Sequence, residues 1–268
     1  MENSATYRIE QNFGDFKMPV VIFDECQSTN SEAADLLRKN VLPAPFVVVA
    51  KRQTRGRGRL GRNWFSREGA SICMSVCADL GGLAADIIES ATVRAGIAVC
   101  AALSELCGNK LLLKWPNDIY SPRGEKISGM LAELVQVEKS YKIVFGIGIN
   151  YDLSDCCAEA QTGLTVPASD LRTQFNPLKN GHFSTITTAA ATVANSAFKE
   201  LCSRNLSSIA DFEKYDFLRN KTINISIGNS QFSGVACGVN PKGNLLVRLG
   251  DGTIKTVNSG EATLHNIG

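Results

Sequence analysis

The sequence predicts an α+β fold: a mixed β-sheet with helices over its first 220 residues, followed by a small all-β module. Two observations carry this. Strand-like and helix-like hydrophobic periods alternate from residue 19 to about 218. From Thr222 the texture changes to short alternating runs, TINISIG, QFSGVACGV, NLLVRLG and TIKTV, separated by PKGN and GDGT turn signals. With 268 residues, 44% of them hydrophobic, the chain can bury a sizeable core, and the change of texture near Asn220 divides it into 1–220 and 221–268.

The first element is PVVIFDEC (19–26), an apolar run that reads as a buried strand. STNSEAADLLRKN follows it as a helix opened by a capping-box pattern of Thr29 and Glu32. FVVVAKRQ (46–53) is β-rich, and TRGRGRLGR (54–62) then breaks every period and reads as a loop. ASICMSVCAD (70–79) resumes strand character. Leu83, Ile87, Ala91, Ala95, Ala98, Ala102 and Leu106 recur at helical spacing up to a stop at Gly108. KLLLKWPND (110–118), KISGMLAELVQVE (126–138) and YKIVFGIGINY (141–151) read as successive strands, the last two joined tightly at Lys139 and Ser140. Residues 152–183 show little periodicity and predict a long loop; helices are expected at about 185–204 and 207–218.

Composition excludes several classes of function. A formal charge of +2 is too small for nucleic-acid or membrane binding by the whole surface, so electrostatic function must come from a local cluster. The nine cysteines hold no CxxC pair and no zinc-ligand spacing, which predicts reduced thiols; Cys73, Cys77, Cys100 and Cys107 fall at packing positions. His182 and His265 stand apart from each other and from acid clusters, so no resident metal site is expected. The first residues, MENSATYRIEQNFGDF, contain no apolar leader, and no segment reads as a membrane span, which predicts a cytoplasmic protein.

Four segments carry candidate chemistry. KRQTRGRGRLGR (51–62) holds six basic side chains and no acid, with Gly56, Gly58 and Gly61 opening the backbone to a close anion. This suits a polyphosphate, although a solvated basic loop or a nucleic-acid patch has the same composition. Its like charges predict a loop that is mobile until an anion arrives. KWPND (114–118) ends an apolar strand and projects Asn117 and Asp118 there, or is a simple turn around a packed tryptophan. Gly146 and Gly148 share one sheet face and predict either a flat floor for a ring or a close strand contact. Lys126 has the opposite parity to Gly129, so both reach one pocket only if the strand start twists or bulges.

Ser28, Thr29 and Asn30, Gln53 with GRGRLGR (56–62), Trp64, KWPND, KISGML (126–131) and GIGIN (146–150) together resemble the biotin–protein ligases. The order and spacing hold from about residue 20 to the C-terminus. The resemblance implies a mixed sheet with helices on one side, akin to the class II aminoacyl-tRNA synthetase core, and a C-terminal SH3-like module. It implies an enzyme that joins biotin to Mg·ATP as biotinyl-5′-AMP and then passes biotin to a lysine on the biotin carboxyl carrier domain of a carboxylase.

The same resemblance assigns Ser28, Thr29, Asn30, Gln53, Gly56, Arg57, Gly58, Arg59, Lys126, Gly129, Leu131 and Gly146 to biotin. It assigns Arg57, Arg59, Arg62, Trp64, Lys114, Asn117, Lys126 and Asn150 to ATP or the adenylate. Lys126 and Arg59 are implied catalytic cations, and Asp118 is a candidate for orienting, or accepting a proton from, the acceptor lysine, whose amine must be neutral to attack. Asn63 stands where many members have a base. Only some twenty residues precede the first core strand, too few for the helix-turn-helix of some members, so no operator binding is expected. A lipoate–protein ligase of the same fold, and a nucleic-acid-binding module using the basic loop, are the competing readings.

Overall fold

The computed structural model describes residues 6–11, 18–156 and 166–264; His265 lies outside them. Among these residues thirteen strands build two sheets. The larger runs β1-β2-β3-β4-β8-β7-β6-β5, formed by β1 (Tyr7–Glu10), β2 (Val20–Cys26), β3 (Phe46–Gln53), β4 (Ser71–Asp79), β5 (Leu112–Lys114), β6 (Asp118–Tyr120), β7 (Lys126–Val137) and β8 (Ser140–Asn150). Only β2 and β3 pair in parallel, so the sheet is mixed, as expected.

Alternation along β2 shows how the sheet is covered. Val20 and Ile22 join the core beneath the long helices α2 (Ala85–Cys107) and α4 (Ile186–Leu201). Val21 and Phe23 point the other way, into a second core with Ala33, Ala34, Leu36 and Leu37 of α1 (Thr29–Arg38). The main helical layer therefore lies on one side, and α1 is the exception on the other. Alanines on both α2 and α4, including Ala91, Ala95, Ala190 and Ala194, let the two helices pack closely. Arg94 is wholly buried between them, and its charge is met by the Glu200 carboxylate at 3.2 Å and carbonyl at 2.8 Å. By length and apolarity α2 does match a membrane span, contrary to the sequence expectation; here its apolar surface is spent on this core.

Other boundaries differ for local reasons. Ser28, not Thr29, is the N-cap of α1, because the Thr29 hydroxyl is drawn to Gln53. KLLLKWPND is not one strand: β5 stops at Lys114 and the chain reverses through Trp115–Asn117 into β6. The β7–β8 turn falls at Glu138 and Lys139, with Glu138 at φ 53, so that Val137 faces Ser140. The loop 152–183 contains a short helix α3 (Pro177–Asn180), and 207–218 becomes a 3₁₀ turn (Ser207–Asp211) leading into α5 (Phe212–Tyr215). At the other end, β9 (Thr222–Ile227), β10 (Ser230–Val239), β11 (Leu245–Arg248), β12 (Ile254–Val257) and an unforeseen β13 (Glu261–Leu264) form a five-stranded antiparallel sheet. It docks on the first sheet partly through Trp115, whose Nε1 donates to the Gly243 carbonyl at 2.9 Å.

Candidate active site

The site lies on the face that α2 and α4 leave open, beyond the N-terminus of α1. Gly146 and Gly148 of β8 and Gly129 of β7 point there, and their lack of side chains is used. A β-carbon on Gly146 would stand 2.3 Å from Asn30 Oδ1, and one on Gly148 2.3 Å from the Trp64 ring. The floor is thus flat, and in this state it is covered by Asn30 and Trp64.

The polar residues expected at 28–30 and 53 meet over this floor. Thr29 donates to Gln53 Oε1 from its backbone N–H at 2.7 Å and from its hydroxyl at 3.1 Å. Asn30 Nδ2 donates to Glu133 Oε2 at 2.6 Å and to the Leu131 carbonyl at 3.2 Å. Between them sits Ser75, fully buried, its hydroxyl 2.8 Å from Thr29 Oγ1 and 2.6 Å from Asn30 Oδ1. Ser28 is buried beside them without making a side-chain capping bond. The result is one hydrogen-bonded chain from Gln53 to Glu133, buried at Thr29, Asn30 and Ser75 and part-buried at its two ends.

The basic loop closes the other side of a cavity of about 680 Å3 lined by residues 54–61, Asn63, Trp64, Leu131 and Glu133. It is a narrow reversal: Arg57 bridges Asn63, Gly58 N–H donates to the Arg62 carbonyl at 2.7 Å, and Leu60 stands exposed at the tip. Gly56 is the one glycine of the three that packing demands, since a β-carbon there would meet the Trp64 carbonyl at 2.7 Å. The loop's like charges are partly answered by counter-charges from other segments. Arg57 pairs with Glu133 at 3.2 Å, Arg62 pairs with Glu261 of β13, and Arg59 donates to Asn117 Oδ1 at 3.2 Å and to the Gly260 carbonyl at 3.1 Å. Arg62 in turn holds the Glu261 carboxyl below its usual range.

Lys126 reaches the same place because β7 bulges at its start. Asp118 faces Gly129 and Ile119 faces Ser128, but Tyr120 faces Lys126, which resolves the parity conflict. Its ammonium sits 2.8 Å from Asp118 Oδ1, with both side chains mostly buried, and 5.9 Å from the Trp64 ring centre. Residues 167–169 clamp its backbone: Lys126 N–H donates to the Pro167 carbonyl at 2.8 Å and Ser169 N–H to the Lys126 carbonyl at 2.9 Å. Lys114 lies nearby, and burial pulls its ammonium below the ordinary lysine range, against the pull of Asp118. Two expected nucleotide contacts are largely committed to the fold. Asn117 Nδ2 donates to the Met130 carbonyl at 2.7 Å, and Asn150 Nδ2 to the carbonyls of Ser169 at 2.9 Å and Lys126 at 3.2 Å.

Ser75, Glu133 and Glu261 were missed in the sequence. A serine in the middle of β4 and a glutamate inside the apolar run of β7 are polar residues without local reason, a signal available in principle. Glu261 left none, because 199 residues separate it from Arg62.

The chain is similar to known proteins over most of its length. The Biotin/lipoate A/B protein ligase family pattern covers residues 22–150, and the Biotin protein ligase C terminal domain pattern covers 220–264. The chain is 30% identical over 251 residues to the bifunctional ligase/repressor BirA of Escherichia coli, spanning 92% of this chain and 74% of that protein. It is 35% identical over 133 residues to the biotin–[acetyl-CoA-carboxylase] ligase of Mycobacterium tuberculosis, over 47% of this chain and 48% of that one. The biotin protein ligase from Aquifex aeolicus, solved in complex with biotin and ATP, superposes with a TM-score of 0.73 at 26% identity, covering 93% of this chain and 99% of that structure.

Proposed function

The chain belongs to the biotin protein ligase family, and we propose that its glycine-floored cleft holds biotin while Lys126 and the basic loop bring ATP against the biotin carboxylate. It is an ATP-dependent biotin–protein ligase. The observation that supports this division of labour is the placing of the Lys126 ammonium at one edge of the floor, beside Gly129, with three loop arginines around the cavity.

In the first step a biotin carboxylate oxygen forms a bond to the α-phosphorus of ATP, and the bond to pyrophosphate breaks. Both reactants are anions, so a cation between them lowers their repulsion and stabilises the charge on the five-coordinate phosphorus. Lys126 has the position for that role. Arg59 and Arg62 exchange the Gly260 carbonyl and Glu261 for phosphate oxygens, and Lys114 and Asn117 border the same region. Trp64 faces the nucleotide, and Asn150, its amide donors spent, accepts from the adenine amine through Oδ1.

In the second step the neutral amine of the acceptor lysine attacks the acyl carbon, the bond to AMP breaks, and the amine's proton passes to Asp118 or to solvent water. Asp118 orients that amine. The acceptor is a biotin carboxyl carrier domain, in keeping with the name of the mycobacterial relative. Magnesium enters with the triphosphate, whose hard oxygens suit it; among the described residues no three His, Cys, Asp or Glu side chains converge. A cytoplasmic location and a division into a catalytic part (1–220) and a C-terminal module (221–268) belong to the same reading.

The Gln53-to-Glu133 chain favours biotin over lipoate. A ureido ring supplies donors and an acceptor that match the polar groups of this chain, whereas a dithiolane offers them no comparable hydrogen bonds. Nucleic acid is disfavoured because three of the loop's arginines, Arg57, Arg59 and Arg62, are engaged by Glu133, the Gly260 carbonyl and Glu261 of this chain. Biotin at about 100 times its Kd is expected to stabilise the protein by about 2.7 kcal/mol in a thermal-shift experiment. ATP–pyrophosphate exchange should then require biotin; exchange supported by lipoate alone would overturn the assignment.

A further inference from the structure

Glu133 belongs to two systems at once. Its Oε2 accepts from Asn30 at 2.6 Å, and both its oxygens lie 3.2 Å from Arg57 Nη2. On β7 it shares the face of Gly129 and Leu131 and lines the cavity. Arg57 also meets Ser31 Oγ at 3.3 Å, so this corner fastens the basic loop to α1 and β7, while Arg59 and Arg62 fasten it to the C-terminal sheet.

We propose that Glu133 is a positioning residue that couples recognition of the biotin ring to closure of the basic loop. This rests on the reading of the cleft as a biotin site. An asparagine amide has two nearly isosteric ends, and only its hydrogen-bond partners decide which end faces where. The Glu133 carboxylate is an acceptor only, so it fixes the Nδ2 end on itself. The Oδ1 end therefore faces Ser75 and the floor, where it can accept a ureido N–H. The same carboxylate holds Arg57 over the cavity. A ring that seats on Asn30 thus favours the closed loop, and a closed loop favours the correct amide orientation.

The test uses the full-length protein and steady-state exchange kinetics. Glu133→Gln is expected to raise KM for biotin about 3- to 10-fold with kcat within about twofold, because the pair with Arg57 is half-exposed and the Asn30 bond is only weakened. In an Arg57→Gln background the same change should cost little more; additive costs in the double variant would overturn the coupling. An independent measurement needs no variant. Biotinamide carries no charge, so salt should speed its release from the wild type by screening the Arg57–Glu133 pair; salt-insensitive release contradicts the proposal. Wild-type protein that fails to bind biotin at all would overturn the assignment of the cleft. Normal binding with an unchanged KM in Glu133→Gln would overturn the role of Glu133 alone.

Discussion

Lys126→Gln is expected to slow adenylate formation about 100- to 1,000-fold, the loss of about 2.7–4 kcal/mol typical of one well-placed electrostatic group. The surroundings push the effect toward the upper end. The ammonium is 2.8 Å from Asp118 Oδ1, and the two side chains are only 20% and 15% exposed. Removing the cation loses the bridge between the two reacting anions and leaves a third, Asp118, uncompensated beside them. Glutamine keeps a donor for Asp118, and the Lys126 backbone is held by Pro167 and Ser169, so the fold should survive. Single-turnover formation of labelled biotinyl-AMP measures the step. Wild-type speed in a folded variant would mean that the cation lies elsewhere.

The second large effect is expected from the smallest change. In Gly146→Ala the added methyl would stand 2.3 Å from Asn30 Oδ1 and 2.9 Å from its Cγ. Asn30 cannot step aside freely, because Glu133, the Leu131 carbonyl and Ser75 hold both ends of its amide. Displacing it forfeits about two hydrogen bonds to the ligand or its supports, about 3 kcal/mol together, or roughly a 100-fold weaker affinity for biotin. Calorimetric titration with biotin reads this directly. Affinity within a few-fold of wild type would show that the headgroup does not depend on Asn30.

Much of this was legible in one dimension. Periodicity located β2, β3, β4, α2 and the β7–β8 hairpin because each buries a regular face. The glycines at 146 and 148 could be placed on one sheet face because strand parity is rigid, which left a floor or a close strand contact as the two readings. What sequence could not show depends on contacts between distant segments. The parity conflict between Lys126 and Gly129 was visible, but the bulge that resolves it arises from pairing with β6. The basic loop was visible, but not the carboxylates that answer it, since Glu133 and Glu261 reach it only through tertiary folding. β1 and β13 are short sheet additions with little apolar content of their own, stabilised by the strands they join.

A crystal structure with biotin and a non-hydrolysable ATP analogue bears most directly on how two anions are brought together here. The expected result is a ureido ring on the Gly146 side of the floor, with Lys126 Nζ within about 3 Å of both the biotin carboxylate and the α-phosphate, and Arg62 turned from Glu261 to the phosphates. Both ligands bound elsewhere, with Lys126 still on Asp118 and Arg62 still on Glu261, would contradict it.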